Sequence, residues 1–491
     1  MPENLEAGGG GGNGQGYDGK IYVHFTNVVC DDGTKVDSSI IFHGDQAYLN
    51  RDKCADIAET KVDVTPLSST TLLYNDRIFS ERLAMLFDLD TATNGQSLAS
   101  VSGFDVVADS LVDRGFSIAK YESSGQLAWA KSTTGISKTL RSRFLPDGSV
   151  IVVSQSLANQ SSPVVVWVAK LDSNGNLLWS KGIENNPRVS TANFEFTEMG
   201  VSSGGEVVVG GFVRTPNQSP VAAYLKLDAS GNLIYAKKVG LAGSSAISGI
   251  AFSPTNELYA TGVIYGSSNP PPFLLKIDGS GQATAAVTYS SFDNNVSGLK
   301  LFFSSTGVLH ASGAGLSTDT QTSLLSYNYR ILKLNPDGTI ISSHKIGNGD
   351  LPLGSLAQSS DGGFYGSLQT TLFHLSEKLV VDQAVERSAI DGFEALKVTG
   401  AGSGGYYLQL RRPASLAPYF TDLLAKVESG SELMSCPQCT PVTIAATIEA
   451  NPSTVAGPTV LDETGLLVQD QSLSPFVDSQ DYLSIINQTV P

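Results

Sequence analysis

The 491-residue sequence predicts an all-β fold, on two recurring hairpins and the constant spacing between them. The first hairpin is clearest from Val165 to Lys181, VVWVAKLDSNGNLLWSK, where two short runs flank an Asp-x-x-Gly turn. It returns as FSIAKYESSGQLAWAK from Phe116, AYLKLDASGNLIYAK from Ala223, FLLKIDGSGQATAAV from Phe273 and RILKLNPDGTIISSH from Arg330. Degenerate copies from Thr371 and Asp422 bring the count to seven. The turn glycines Gly125, Gly175, Gly231, Gly281 and Gly338 fall 50, 56, 50 and 57 residues apart. Between these copies lies a second hairpin: PDGSVIVVS from Pro146, SGGEVVVGG from Ser203, PTNELYATG from Pro254 and STGVLHASG from Ser305. It continues from Ser360 and Gly402, and TNGQSLASVSG from Thr93 reads as its first copy. Four strands per unit of about 50 residues is the signature of a β-propeller blade.

The expected ring has seven four-stranded blades over residues 83–434. VLDETGLLVQDQSL from Val460 reads as one more blade hairpin. In the seven-bladed form, residues 435–491 close the ring by giving inner strands to a blade whose outer strands come from the N-terminal side. Such a join removes exposed strand edges. In the alternative, that hairpin and strands around Thr71–Tyr74 make an eighth blade.

Ahead of the repeats, residues 1–18 are a Gly-rich flexible tether. Residues 19–82 read as a small β segment, with alternation in Lys20–Phe25 and Asp-Gly and Gly-Asp turn signals after it. The four cysteines form two local pairs, Cys30 with Cys54 and Cys436 with Cys439, which predicts two disulfides and an oxidising compartment. A Cys30–Cys54 bridge would contribute roughly 3–4 kcal/mol. Cys436-Pro437-Gln438-Cys439 has neither a βαβ context nor a second CxxC, so a disulfide at the exit from the ring is preferred to a redox or zinc motif.

Composition narrows the function classes. With 31 basic against 47 acidic residues the net charge is −16, and no basic cluster offers a counterion-releasing surface for nucleic acid or an attraction to anionic lipid. No run of about 18 apolar residues exists to make a transmembrane helix. Only 16% of residues are charged, so solubility rests on Ser, Thr, Asn, Gln and Gly, a profile suited to an extracellular or periplasmic β protein.

Each candidate site competes with a structural role. Asp172-Ser173-Asn174-Gly175, and the group Asp88, Asp90 and Asn94, resemble oxygen-ligand loops, but Asp-x-x-Gly is also turn chemistry. The turn-acid column accepts Ser376, which favours the turn. Lys120, Lys170, Lys226, Lys276, Lys333 and Lys426 precede that column by two residues, with His374 in the seventh slot. They read as local ion pairs with their own turn acids rather than an anion-binding ring. His310 takes a slot held elsewhere by Tyr or Val, and no two histidines have metal-ligand spacing. Gly200-Val201-Ser202-Ser203-Gly204 matches GxSxG but lies in a turn between strands, where no nucleophile elbow forms. Trp129, Trp179 and Tyr235 share one slot on the last strand and are expected to pack between blades. No catalytic, cofactor or metal residue is predicted. The candidate ligand-face residues are His374 and the proline loop Pro270, Pro271 and Pro272, because these are places where the copies disagree.

The FxAKLxxxGxLxW hairpin followed by DxxGxxYVxG resembles the repeats of bacterial seven-bladed propeller proteins over most of the chain. The Gly-rich start resembles the mature end of bacterial lipoproteins, whose lipidated cysteine would stand where Met1 does. Met1-Pro2-Glu3-Asn4 is accordingly read as a trimmed form whose precursor carries a signal peptide. These resemblances imply an extracellular, periplasmic or outer-membrane-associated protein, lipid-tethered at its N-terminus. The expected function is a binding or scaffold module presenting propeller loops to a protein or glycan partner. The alternatives are a polysaccharide hydrolase or lyase using channel carboxylates, and a structural component of the cell envelope.

Overall fold

The repeated turns are closed by their own side chains in the computed structural model. Asp172 Oδ1 accepts the backbone N–H groups of Asn174 and Asn176, each at 2.8 Å, and Oδ2 accepts from Asn176 Nδ2 at 2.9 Å. Asp228 and Asp278 accept from their own loops in the same way. Gly175, Gly231 and Gly281 follow at φ near +80°, where a side chain is strained. The structure describes residues 20–29, 35–43, 46–49 and 76–79, most of 83–427, and seven strands between 439 and 487. Cys30, Cys54, Cys436 and Pro270 lie outside the described residues, and Cys439 is described only by its place in a strand.

The chain divides into two units, Met1–Ser69 with Pro491, and Thr70–Val490. In the first, β1 (Lys20–Val29), β2 (Lys35–His43) and β3 (Gln46–Leu49) form an antiparallel sheet in that order. The second unit opens with β4 (Asp76–Phe79).

Six blades follow, each built from four consecutive antiparallel strands. Blade 1 is β5 (Leu83–Thr91), β6 (Ser97–Val107), β7 (Ser110–Tyr121) and β8 (Leu127–Thr133). Blade 2 is β9 (Ser137–Phe144), β10 (Val150–Ser156), β11 (Val166–Leu171) and β12 (Leu177–Asn185). Blade 3 is β13 (Asn193–Val201), β14 (Val207–Arg214), β15 (Val221–Leu227) and β16 (Leu233–Gly240). Blade 4 is β17 (Ser244–Phe252), β18 (Leu258–Tyr265), β19 (Pro272–Ile277) and β20 (Ala283–Ser290). Blade 5 is β21 (Lys300–Phe303), β22 (Leu309–Thr318), β23 (Leu325–Leu334) and β24 (Ile340–Gly349). Blade 6 is β25 (Leu353–Gln358), β26 (Phe364–Leu368), β27 (Thr371–Leu375) and β28 (Val381–Arg387).

A composite closing sheet takes β29 (Glu394–Gly400), β30 (Tyr406–Arg411) and β31 (Asp422–Val427), and then β4 from the other end of the chain. β4 pairs with β31 through Arg77–Leu423 and Asp76–Leu424. Thr91 at the end of β5 donates its hydroxyl to the Gly400 carbonyl at the end of β29, joining blade 1 to the closing sheet.

The last seven strands circle the ring as a belt. In order they are β32 (Cys439–Pro441), β33 (Ala446–Ile448), β34 (Ser453–Ala456), β35 (Thr459–Asp462), β36 (Leu466–Asp470), β37 (Val477–Asp478) and β38 (Ser484–Asn487). β32 adds to the outer edge of blade 6, β33 to blade 5, β34 to blade 4, β35 to blade 3, β36 to blade 2 and β37 to blade 1. The belt thus visits the blades in reverse chain order, and β38 finishes on β4.

This architecture corrects the expected fold class. Seven contiguous four-stranded blades, and the eight-bladed alternative, give way to six contiguous blades and one composite sheet, and each of these seven sheets has five strands. The Val460 stretch is not a hairpin of one blade: β35 and β36 lie on blades 3 and 2. The N-terminal side supplies β4, which pairs between β31 and β38. The physical reason is that a fourth strand leaves a row of N–H and C=O groups unpaired, and any short extended segment running past can satisfy them.

The belt covers only the later part of each edge; in blade 2, β36 pairs with Lys181–Asn185 of β12. Nearer the turn the fourth strands carry a bulge at one repeated position, at Ala128, Leu178, Ile234, Thr284, Ile341 and Asp382. A bulge twists an edge away from further pairing, so the two devices divide its protection between them.

The core lies between blades rather than within them. Ile151, Val153, Val166 and Val168 of blade 2 pack on Phe194, Val207, Val209 and Leu225 of blade 3, and comparable layers follow between later blades. The repeated turns lock onto the preceding blade. Trp129 Nε1 donates to the Ser173 carbonyl at 2.9 Å, Trp179 Nε1 to Ala229 at 3.1 Å, and Tyr224 and Tyr289 donate to Gly281 and Gly338. A Cβ on Gly231 would come within 2.9 Å of the Trp179 ring, so both its φ and its crowding require glycine.

Candidate ligand site at the channel mouth

The first strand of each sheet lines the centre of the ring, and bulges on these strands shape what faces it. Pairing skips one residue between Leu86 and Asp88, Phe196 and Glu198, Ile247 and Gly249, and Ala395 and Lys397. The skipped residue joins neighbouring blades: Thr197 donates to the Ile247 carbonyl at 2.7 Å and Ser248 to that of Leu299 at 2.9 Å. The residue after the bulge sits four positions ahead of the following turn. In blades 1 to 5 that column reads Asp88, Arg141, Glu198, Gly249 and Lys300.

Four of those five residues are charged, and they meet. Asp88 accepts the Ser142 N–H at 3.2 Å and pairs with Arg143. Asp90 Oδ2 accepts the Phe144 N–H at 2.7 Å. These carboxylates satisfy the inner edge of blade 2, where a first strand has no further partner strand. Glu198 is ringed by Lys300, by Arg141 Nε at 3.7 Å and by Arg143 Nη2 at 3.7 Å. Burial opposes ionisation of Glu198, but Lys300, Arg141 and Arg143 hold its carboxyl down to about 2. Burial pushes Asp90 the other way, above the usual carboxylate range, although Arg143 and the Phe144 N–H oppose the rise. Two carboxyl groups in one site are thereby shifted in opposite directions.

Above this network opens a cleft of about 820 Å³ on the face that carries the short turns. Asn94, Gln96, Lys120, Arg143, Glu198 and Lys300 are among its lining residues. Thr93 and Asn94 are exposed at its rim. The buried Lys120 is fixed by its Nζ donating to the Ser173 carbonyl at 3.1 Å.

The sequence-derived candidates lie elsewhere. His374 is buried on β27, with Nδ1 2.6 Å from Asp382 and Nε2 3.3 Å from Asp361, and its ring lies 4.5 Å from that of Tyr365. Pro272 is buried at the start of β19 and Pro271 accepts the Ile264 N–H at 3.1 Å. The expected pairing of a lysine with its own turn acid is corrected for three of the column. Lys226 pairs with Glu206 at 2.8 Å, Lys276 with Glu257 at 2.6 Å and Lys170 with Asp147 at 3.9 Å, all across to the second hairpin. The turn acids are already turned back onto their own loop N–H groups, leaving the cross-strand acids as the nearest counter-charges. Ser202, from the GxSxG match, is buried and accepts the Glu206 N–H at 3.0 Å.

Sequence reading singled out Asp88 and Asp90 only as a cation hint and missed Arg141, Arg143, Glu198 and Lys300. The signal was present: charges of both signs at one aligned position, four residues ahead of the second-hairpin turn.

His310 gives a prediction here. It is buried on β22, stacked on Phe302 at 5.4 Å, with Nδ1 3.0 Å from the Val308 carbonyl. Burial, with a smaller effect from Lys333, depresses its pKa to about 4 from the ordinary 6.5. Because the unfolded chain binds the proton more readily, His310 destabilises the fold as pH drops from 6.5 towards 4, by on the order of 3 kcal/mol at the limit. His344 is shifted in the same direction by burial. Urea midpoints at pH 7.5 and 4.5 should differ less in His310→Phe than in wild type; an unchanged difference would show that His310 does not contribute.

Fold and site together define a β-propeller with a charged cleft at the mouth of its channel. No family model matches the chain, and no curated protein matches it. Among solved structures it is similar to the β-propeller domain of the Trilobed protease from Pyrococcus furiosus, with a TM-score of 0.43 and 11% identity over 74% of this chain and 97% of that one. Prolyl oligopeptidase B from Galerina marginata gives 0.42 and 10% over 77% of this chain, which spans 53% of that protein. A protein of unknown function from Bacteroides caccae gives 0.35 and 11%, covering 57% and 94% of the two chains. All three are distant likenesses, and no activity is carried over from them.

Proposed function

We propose that the chain is a binding module that receives its ligand in the channel-mouth cleft. The observation that carries this reading is the cleft's set of fixed charges, built on the rigid inner strands rather than on long loops. The partner class is a glycan or a protein segment. A secreted or surface-displayed setting, with an N-terminal lipid tether, belongs to the same proposal, on the even cysteine count and the Gly-rich start. The test is retention of soluble glycans and peptides by the immobilised chain, repeated with Thr93→Trp, which places an indole at the exposed rim. A ligand retained by wild type and lost from the variant supports the reading. Retention equal in both places the site elsewhere, and no retained ligand counts against binding.

A second reading has its own observation. Asp90 is pushed towards its protonated form while Glu198 stays ionised, the division that acid–base chemistry on a glycosidic bond requires. Turnover of a polysaccharide panel that disappears in Asp90→Asn would favour a hydrolase or lyase over a binder.

A further inference from the structure

The first strands of blades 2 and 4 enter their turns in one register but meet different neighbours. Phe144 stands opposite Val150, and Phe252 opposite Leu258. One residue on, Leu145 and Ser253 donate their N–H groups across the hairpin to Ser149 and Glu257. Backbone groups alternate in direction along an antiparallel pair. Those of Ser142 and Phe144, and of Ile250 and Phe252, therefore point off the sheet into the centre of the ring. In blade 2 the preceding blade caps both N–H groups, Ser142 with Asp88 and Phe144 with Asp90. Ahead of blade 4 the same two places hold Glu198 and Gly200. Glu198 is shared among Lys300, Arg141 and Arg143, and Gly200 has no side chain. Among the described residues nothing accepts from the N–H of Ile250 or Phe252, and both residues line the cleft. Blade 3 is intermediate, because Met199 N–H finds Glu198 Oε1 at 3.2 Å and only Val201 is left uncapped. On β21 the lining of the cleft stops at Leu301. β17 thus presents two successive open places of a strand edge inside the cleft.

We propose that the cleft takes an extended peptide segment of no net charge, which adds as a further strand to the inner edge of β17. The inference rests on the cleft being the binding site, and adds the ligand's chemistry and its place. Ile250 and Phe252 each offer an N–H and a C=O, spaced as the backbone groups of an added strand are spaced. Blade 2 takes no such strand, because Asp88 and Asp90 already occupy its edge. The charged residues lining the cleft balance, Asp90, Asp147 and Glu198 against Lys120, Arg143 and Lys300. A strongly acidic or basic segment therefore gains nothing there from charge. Met199, Val201 and Leu301 line the cleft beside Ile250 and Phe252 and suit apolar side chains on the ligand.

The experiment is calorimetry on the full chain with the capped peptide acetyl-Thr-Val-Thr-Val-Thr-amide and two copies of it, one N-methylated on the valines and one on the threonines. Cellotetraose, pentaglutamate and pentalysine complete the panel. Alternate N–H groups of a strand face opposite ways, so one methylated copy should bind like the parent and the other about tenfold more weakly. A loss shared by both copies, or by neither, overturns strand addition. Parent binding should be the same at about 20 and 200 mM salt, and tighter binding of pentaglutamate or pentalysine overturns the neutral class. Hydrogen exchange with the parent peptide bound should slow at Ile250 and Phe252 and stay unchanged at Ser142 and Phe144, which are already capped. Protection at Val201 in their place overturns the assignment to β17. Binding of cellotetraose in place of the peptides overturns the peptide class while leaving the cleft as a binding site. Binding of none overturns the proposal, and the Thr93→Trp comparison then decides the binding reading separately.

Discussion

Truncation after Gln438 is expected to leave the ring unable to hold its closed form, the largest single effect anticipated for this protein. The belt strands are two to five residues long, so each adds few hydrogen bonds by itself. Together they cover the fourth-strand edge of all six blades and give β4 its longer pairing, four residues against β38 compared with two against β31. Without the belt those edges are open to pairing between molecules, and their turn-proximal halves already expose Leu178, Ile234 and Ile341 at the bulges. The truncated chain should aggregate, read as light scattering on expression or refolding. Truncation after Asp481 removes β38 alone; it should stay soluble and melt several degrees lower, because β4 is then held only by Arg77–Leu423 and Asp76–Leu424. A chain cut after Gln438 that remained monomeric with an unchanged melting curve would show that the blades close without the belt.

Glu198→Gln should be the most damaging single substitution in the channel. It removes the negative charge that Arg141 and Lys300 share, and leaves those cations and Arg143 facing one another. Breaking a buried pair costs about 3–5 kcal/mol, but the Lys300 side chain is more than half exposed and water screens it, so about 2–3 kcal/mol is expected here. Urea unfolding measures it. The double variant with Lys300→Met should cost less than the two single losses added together, because Lys300 no longer faces other cations without a counter-charge. Simple additivity would mean that the pair does not interact. The pH sign follows from the same carboxyl. Its folded pKa of about 2 lies below the ordinary 4.5, so the stabilisation is complete above pH 4.5 and is lost as pH falls towards 2. Glu198→Gln should flatten the stability profile in that window, whereas His310 acts between 6.5 and 4.

The hairpins were legible because their chemistry is local. Asp172 caps the five-residue loop that it belongs to, and Gly175 supplies the backbone angle that loop needs, so both leave a mark in most copies. The Trp129 and Trp179 column was legible for a related reason, since each blade must present the same ring to the next turn. The belt left no such mark. Its strands bind through backbone groups, which any non-proline residue provides, and they need neither a turn nor a periodic side chain. Val460 to Leu473 contains two of them in succession, and two short extended runs with a Gly between them read as a hairpin until their partners are known.

The channel charges lie between these cases. Asp88, Arg141, Glu198 and Lys300 occupy one column of the repeat, so their alignment was available, but a charge in a strand is ordinarily a solvated face. Only the closed ring, which brings the first strands of different blades together at its centre, makes Arg141 and Lys300 partners of Glu198 across 57 and 102 positions of chain. His374 was conspicuous for the opposite reason. It breaks a column of lysines, yet it is buried between Asp361 and Asp382 and, like them, faces a carboxylate across the strand.

By itself, then, the sequence determined the strands, their turns and the four-strand repeat, since each depends on interactions within about 50 residues and is written again in every copy. The tertiary structure alone decided the fifth strands, the composite closing sheet and the charged cleft. These depend on which distant segments come to lie side by side, and a backbone edge or a lone charge does not name its partner until the ring has closed.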